Sequence, residues 1–159
     1  KVRKGVAKLA RLFPEMVLLM GNHDDRYSIA YSGAGILHDM MMDFGTIIGA
    51  PDTWNILKSD KNLSITVDST RDRLVFAHNR GINTALIAQR LGCTFVAGHS
   101  HTKGQVVGYN NGERTLFGVN NPCLISNTGS PFAYSKVSNI NPVRGCTLIE
   151  NGVPRIELL

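Results

Sequence analysis

Three apolar runs in this chain each end in a polar cluster, and four of its five histidines lie in those clusters. Met16-Val17-Leu18-Leu19-Met20 leads into Gly21-Asn22-His23-Asp24, Leu74 to Ala77 into His78-Asn79, and Cys93 to Ala97 into Gly98-His99-Ser100-His101. Short continuous apolar runs bounded by turn residues are the mark of strands buried on both faces, as in parallel sheets covered by helices. In such sheets ligands sit in the crevice beyond the carboxyl ends of the strands. The pattern therefore predicts an α/β fold in which three strands end at one edge and bring their polar clusters together.

The rest of the chain fits that frame. Val2, Val6, Leu9 and Phe13 recur at helical spacing with basic residues on the other face, and Pro14 ends that helix. Tyr27 to Lys61 carries glycines and the cluster Met40-Met41-Met42, which reads as a short helix among loops with the methionines as core filler. Leu63 to Val67 and Leu74 to Ala77 are predicted strands around the turn Ser69-Thr70-Arg71-Asp72. Asn83 to Leu91 is a predicted helix closed by Gly92. The last third is β-rich: Gln105 to Tyr109 and Thr115 to Val119 flank Asn110-Asn111-Gly112-Glu113, and Cys146 to Glu150 and Pro154 to Leu158 flank Asn151-Gly152. The 159 residues suit one domain spanning 1–159, with no repeat, low-complexity tract or linker.

Composition excludes several classes. No stretch approaches the roughly 18 consecutive apolar residues of a membrane helix, so no membrane partner is expected, and no apolar signal-peptide core follows the basic start. Three cysteines without a CxxC pair argue against a disulfide framework or zinc knuckle and for a reducing, cytoplasmic setting, with the thiols as buried small groups. The net charge of +5 is localised: Lys1, Arg3, Lys4, Lys8 and Arg11 precede the first acid, Glu15, and the later basic and acidic residues balance. The excess is one helix face, a solvated surface before it is a nucleic-acid contact. Lys1 in place of a methionine implies a longer parent.

Each polar cluster alone is ambiguous. A His-x-His is an ordinary surface pair as readily as a ligand pair, a single histidine can be a satisfied core group, and Asn-His-Asp is a common turn. Together, each at a strand end, they read as a metal site, because imidazole nitrogen and amide oxygen suit zinc, manganese, iron or nickel. If Gly98 to His101 is extended, His99 and His101 point to one side and Ser100 to the other.

Gly21-Asn22-His23-Asp24, then His78, then Gly98-His99-Ser100-His101 resembles the second half of the calcineurin-like metallophosphoesterase signature. That family reads Asp-x-His, Gly-Asp-x-x-Asp, Gly-Asn-His-Asp/Glu, a lone histidine at a strand end, and Gly-His-x-His. Asn127-Thr128-Gly129-Ser130 is similar to an Asn-Pro-Gly-Ser turn found after the last motif in many members. The resemblance runs from about residue 5 to about residue 158. Asp24-Asp25-Arg26 and the helix before Gly98 are similar to phage-associated members. Two departures stand out. His78 lies between Ala77 and Asn79, where many relatives have a glycine on one side. No Asp-x-His or Gly-Asp-x-x-Asp occurs in the chain.

The resemblance implies a two-sheet αββα sandwich, incomplete at its N-terminus, and a cytoplasmic hydrolase of phosphomonoesters or phosphodiesters. It implies two divalent transition-metal ions, manganese first with iron, zinc or nickel as alternatives. Asn22, His78 and His99 would bind one ion and His101 the other. His23 would be the catalytic acid, oriented by Asp24, and Arg26 and Arg80 would hold phosphate if they are not simply surface arginines. Nucleic acid is a candidate substrate, a phage-type nuclease or phosphodiesterase being one form of the activity. The 159-residue chain alone is expected to be nearly inactive, since the bridging aspartate belongs to the absent motifs. The rival reading is a catalytically inactive member or a fragment serving as a binding module.

Overall fold

The computed structural model describes residues 2–37, 40–78, 83–125 and 141–159. The chain forms two compact units, Lys1–Lys61 and Asn62–Leu159. Both are mixed α/β, and no helix among the described residues is long and apolar enough to cross a membrane.

The first unit contains α1 (Val2–Leu12), β1 (Met16–Leu19), α2 (Arg26–Gly33), α3 (Phe44–Ile48) and β2 (Trp54–Leu57). β1 and β2 pair in parallel, Met16 opposite Trp54 and Leu19 opposite Leu57, as a two-stranded sheet. Helical spacing in α1 presents Val6 to Ile48 and Trp54, around which Ala10, Met16, Leu18, Phe44 and Ala50 pack. The Trp54 indole N–H donates to the Phe13 carbonyl at 2.9 Å, which satisfies its one polar atom inside this core. α3 is closed at both ends. Asp43 accepts from the Thr46 N–H at 3.1 Å, and Gly49 takes the left-handed conformation past the last turn. Arg3 then donates to the Ile47 and Thr46 carbonyls, both at 3.0 Å. One member of the basic face of α1 is therefore a tie to the negative end of α3 rather than a solvated charge.

This unit departs from the sequence expectations at three places. β1 is not buried on both faces, since Val17 is 39% exposed and β1 has a single neighbour. Of the apolar stripe on α1 only Val6 is buried, while Val2, Leu9 and Phe13 are exposed. The methionines are not core filler: Met40 is 74% and Met42 55% exposed. α2 has no buried residue at all, so this stretch lacks the amphipathic pattern that would have identified it.

The second unit is built on a five-stranded mixed sheet, β3 (Leu63–Val67), β4 (Asp72–Ala77), β5 (Thr94–Ala97), β7 (Thr115–Asn120) and β6 (Gln105–Asn110) in spatial order. β4, β5 and β7 are parallel, and β3 and β6 close the sheet as antiparallel edges. α4 (Thr84–Leu91) lies between β4 and β5 in sequence, with Asn83 accepting from the Leu86 N–H at 3.0 Å and Gly92 as left-handed C-cap. Ala88 and Ile87 of α4 pack on Val75, Ala77, Cys93, Phe95 and Ala97. β8 (Gly145–Glu150) and β9 (Val153–Leu158) form a separate antiparallel hairpin, turned at Asn151-Gly152. The strands, the capped helix and both hairpins of this unit match the sequence reading to within two residues.

All three cysteines are free, but they are not alike: Cys93 is buried, Cys123 half-buried and Cys146 exposed. Only Cys93 and, in part, Cys123 meet the expectation of buried thiols. Burial pushes the Cys93 thiol up from its ordinary value of 9.0, opposed by the nearby Arg73 and Arg114 charges. Because the folded state keeps this thiol protonated after the unfolded chain has ionised, its contribution to stability is intact below pH 9.0 and is lost as pH rises beyond it. In a thiol-labelling time course at pH 8, Cys146 is expected to react fast and Cys93 only with global unfolding. Equal rates for the two would refute this packing of β5.

Candidate functional site

In the second unit the pairing register places three strand ends side by side. Ala77 pairs with Ala97, and Ala97 with Asn120. The Gly98 N–H donates to the Ala77 carbonyl at 3.1 Å and the Asn121 N–H to the Ala97 carbonyl at 2.8 Å, so the ladder continues one residue past the strands. His78 and Gly98-His99 therefore emerge next to one another at the carboxyl edge of a parallel pair, as the sequence reading required of these two clusters. The His78 and His99 rings lie 5.3 Å apart, nearly perpendicular at 84°. A Cβ at Gly98 would stand 3.4 Å from His78 Nδ1, at van der Waals contact with the ring.

The loop that carries the second histidine is not extended. His99 has φ +69°, in the left-handed region that costs a non-glycine residue about 1–2 kcal/mol. The Ser100 N–H donates back to the Gly98 carbonyl at 2.8 Å, which tightens the turn. The expectation that His99 and His101 project to one side of an extended strand is therefore corrected, since period-two alternation does not survive such a turn. His101 is instead fixed through its backbone. Its carbonyl accepts from the Val143 N–H at 2.8 Å and from Cys123 Sγ at 3.7 Å.

The third cluster belongs to the first unit. Asn22, His23 and Asp24 follow β1, which pairs with β2 and not with the five-stranded sheet. The single sheet edge expected for all three clusters is thus not formed. Within the first unit, Asp24 Oδ2 accepts from the Gly21 N–H at 2.7 Å, and the Asp24 N–H donates to the Gly21 carbonyl at 2.9 Å. One carboxylate oxygen of Asp24 is engaged in holding this turn. Asp25 accepts from the Ser59 hydroxyl, which ties the start of α2 to the segment after β2. His23 and Arg26 are exposed and Asn22 is half-buried. Arg80 and Asn127-Thr128-Gly129-Ser130 lie outside the described residues.

A transition metal needs at least three protein ligands in a catalytic site, with nitrogen at about 2.0–2.1 Å for zinc. Two imidazoles on one tetrahedral ion would have ring centres roughly 5 Å apart by that bond length. The His78–His99 pair has this spacing, and it has the right donor chemistry. Among the described residues, however, no three His, Cys, Asp or Glu side chains converge on one point. The second unit thus supplies a ligand pair and not a complete coordination shell. No protein-family model, curated protein or solved structure matches the chain.

Proposed function

We propose that this chain is part of a calcineurin-like metallophosphoesterase, a hydrolase of phosphomonoesters or phosphodiesters working through two divalent transition metals, and that it folds toward that family's two-sheet αββα sandwich. The observation that carries the reading is the His78–His99 pair at the carboxyl edge of β4 and β5, in a sequence that also holds Gly21-Asn22-His23-Asp24 and Gly98-His99-Ser100-His101. The backbone strain at His99 supports it, because left-handed non-glycine residues cluster at functional sites.

His78 and His99 are the proposed ligands of one ion together with Asn22, and His101 of the other; manganese is the first choice, with iron, zinc or nickel as alternatives. Two such ions would bind phosphate oxygens and supply a hydroxide at neutral pH. The chain's own contribution is positional. β4 and β5 fix the backbone from which the two imidazoles project, and His23 is the proposed proton donor to the leaving oxygen. Asp24 is proposed to orient His23 with the carboxylate oxygen that the Gly21 N–H does not take. Arg26 and Arg80 are proposed phosphate contacts, and nucleic acid remains one of the substrates to screen.

The competing reading is an inactive member or a binding module. Elemental analysis of the full-length natural protein separates the two. About two transition-metal ions per chain, with phosphodiester hydrolysis that stops in chelator and returns with manganese, are expected. Protein that hydrolyses the ester metal-free after exhaustive dialysis would rule out the metallophosphoesterase reading, and protein that neither takes up metal nor hydrolyses the ester would decide for the rival.

A further inference from the structure

The two edges of the five-stranded sheet differ in how they are protected. Natural sheets blunt an edge strand with charge, proline, a bulge or a covering element, because its outward N–H and C=O groups otherwise pair with another strand. β6, at one edge, has β9 and α4 lying against it. β9 in turn carries Pro154 and the ion pairs of Arg155 with Glu150 and Glu157. β3, at the other edge, has none of these devices. Its sequence, Leu63-Ser64-Ile65-Thr66-Val67, holds no charge, proline or glycine, and it pairs with β4 along its whole length without a bulge. Ser64, Ile65 and Thr66 are exposed. Among the described residues, no backbone hydrogen bond of these three runs outside the β3–β4 ladder.

What fits such an edge is set by the strand itself. Leu63, Ile65 and Val67 alternate with Ser64 and Thr66, so one side is apolar and the other hydroxylated. The pattern is symmetric about Ile65. In an antiparallel pair of two copies with Ile65 opposite Ile65, Leu63 faces Val67 and Ser64 faces Thr66, and the apolar side chains stay on one face of the joined sheet. A one-residue slip sets apolar against polar positions throughout. The charges just outside the strand obey the same symmetry. Lys61 lies two residues before β3 and Asp68 one residue after it, so this register brings Lys61 of each copy beside Asp68 of the other, at both ends. Among the described residues the Asp68 carboxylate makes no hydrogen bond or ion pair. The Lys61 ammonium reaches only its exposed neighbour Asp60, at 3.4 Å, a contact worth little at a surface. Both charges are therefore available to a partner.

We propose that β3 is the interface of a homodimer, in which two copies join edge to edge into one continuous sheet with Lys61 and Asp68 paired across each end. The contact is the same patch on both copies, so it closes at two rather than growing into a fibre. An edge of this length is smaller than a permanent interface, which makes the dimer reversible and dependent on concentration. The pairing needs no metal and does not rest on the metallophosphoesterase reading.

The test is sedimentation velocity of the full-length natural protein over a wide concentration range, in chelator. The weight-average mass is expected to rise from that of one chain toward that of two. Ile65→Lys sets two ammonium groups face to face at the twofold axis and is expected to keep the protein monomeric throughout. Ile65→Val, an equally good strand former, should leave the dimer in place. Ile65 is 43% exposed, so neither change disturbs the core. Asp68→Lys should weaken association at least about tenfold, since it opposes like charges at both ends, and adding Lys61→Glu to it should restore the parent affinity. That recovery is specific to this register. A monomer at every concentration, a dimer indifferent to Ile65→Lys, or a charge swap that recovers nothing would each overturn the proposal. Because chelator is present throughout, failure here leaves the metal-dependent reading untouched, and failure of that reading leaves this interface standing.

Discussion

His23→Ala in the full-length protein is expected to lower turnover of an alkyl phosphoester by about 10²–10⁴-fold, the contribution of a general acid, while metal content stays at the parent level. His99→Ala is expected to abolish turnover by a different route, through loss of bound metal. The contrast follows from where the two side chains stand. His99 is held in a left-handed turn against His78, with ring centres 5.3 Å apart, a position suited to a ligand. His23 is exposed, in a turn closed by the Asp24 carboxylate on the Gly21 N–H, where an imidazole can exchange protons with solvent. Leaving-group dependence provides the second readout. A nitrophenyl ester departs with little need of a proton, so the His23→Ala deficit should shrink toward unity with that substrate. The His99→Ala deficit should be the same for both esters. Metal lost in step with activity in His23→Ala would make His23 a ligand and remove its role as acid.

Much of the second unit was legible because its signals are local. β5 is buried at all four positions and reads as an uninterrupted apolar run. α4 carries its own boundaries, with Asn83 as N-cap and Gly92 as left-handed C-cap. The turn at Asn151-Gly152 has positive φ at both residues, the conformation that this dipeptide favours. What escaped was non-local or a matter of backbone sign. Trp54 to Leu57 is four residues long, and nothing in it announces that its partner is β1, almost forty residues earlier. β1 pairs with β2 in a sheet of its own, so Gly21 to Asp24 do not follow a strand of the sheet whose edge carries His78 and His99. The left-handed turn at His99 had only one herald, Gly98, and a glycine does not say what the next residue's φ will be.

Gly118→Ala should be a severely damaging single-methyl change in the second unit. A Cβ at this position would stand 2.3 Å from the Ala85 nitrogen, 2.4 Å from the Thr84 carbonyl carbon and 2.5 Å from the Ala85 Cα. All three are backbone atoms, so no rotamer change relieves the overlap. Either α4 lifts from β7 or β7 bows, and both responses disturb the packing of Ala88 on Phe95 and Ala97. Overpacking of this kind costs about 3 kcal/mol or more. For a unit of this size that is a fall in melting temperature on the order of 10–20 °C. Gly5→Ala is the matched control. Its Cβ meets nothing within 4 Å and it lies inside α1, where alanine should stabilise by about 0.5–1 kcal/mol. A Gly118→Ala protein melting within a degree or two of the parent would mean that α4 does not rest on β7 at this point.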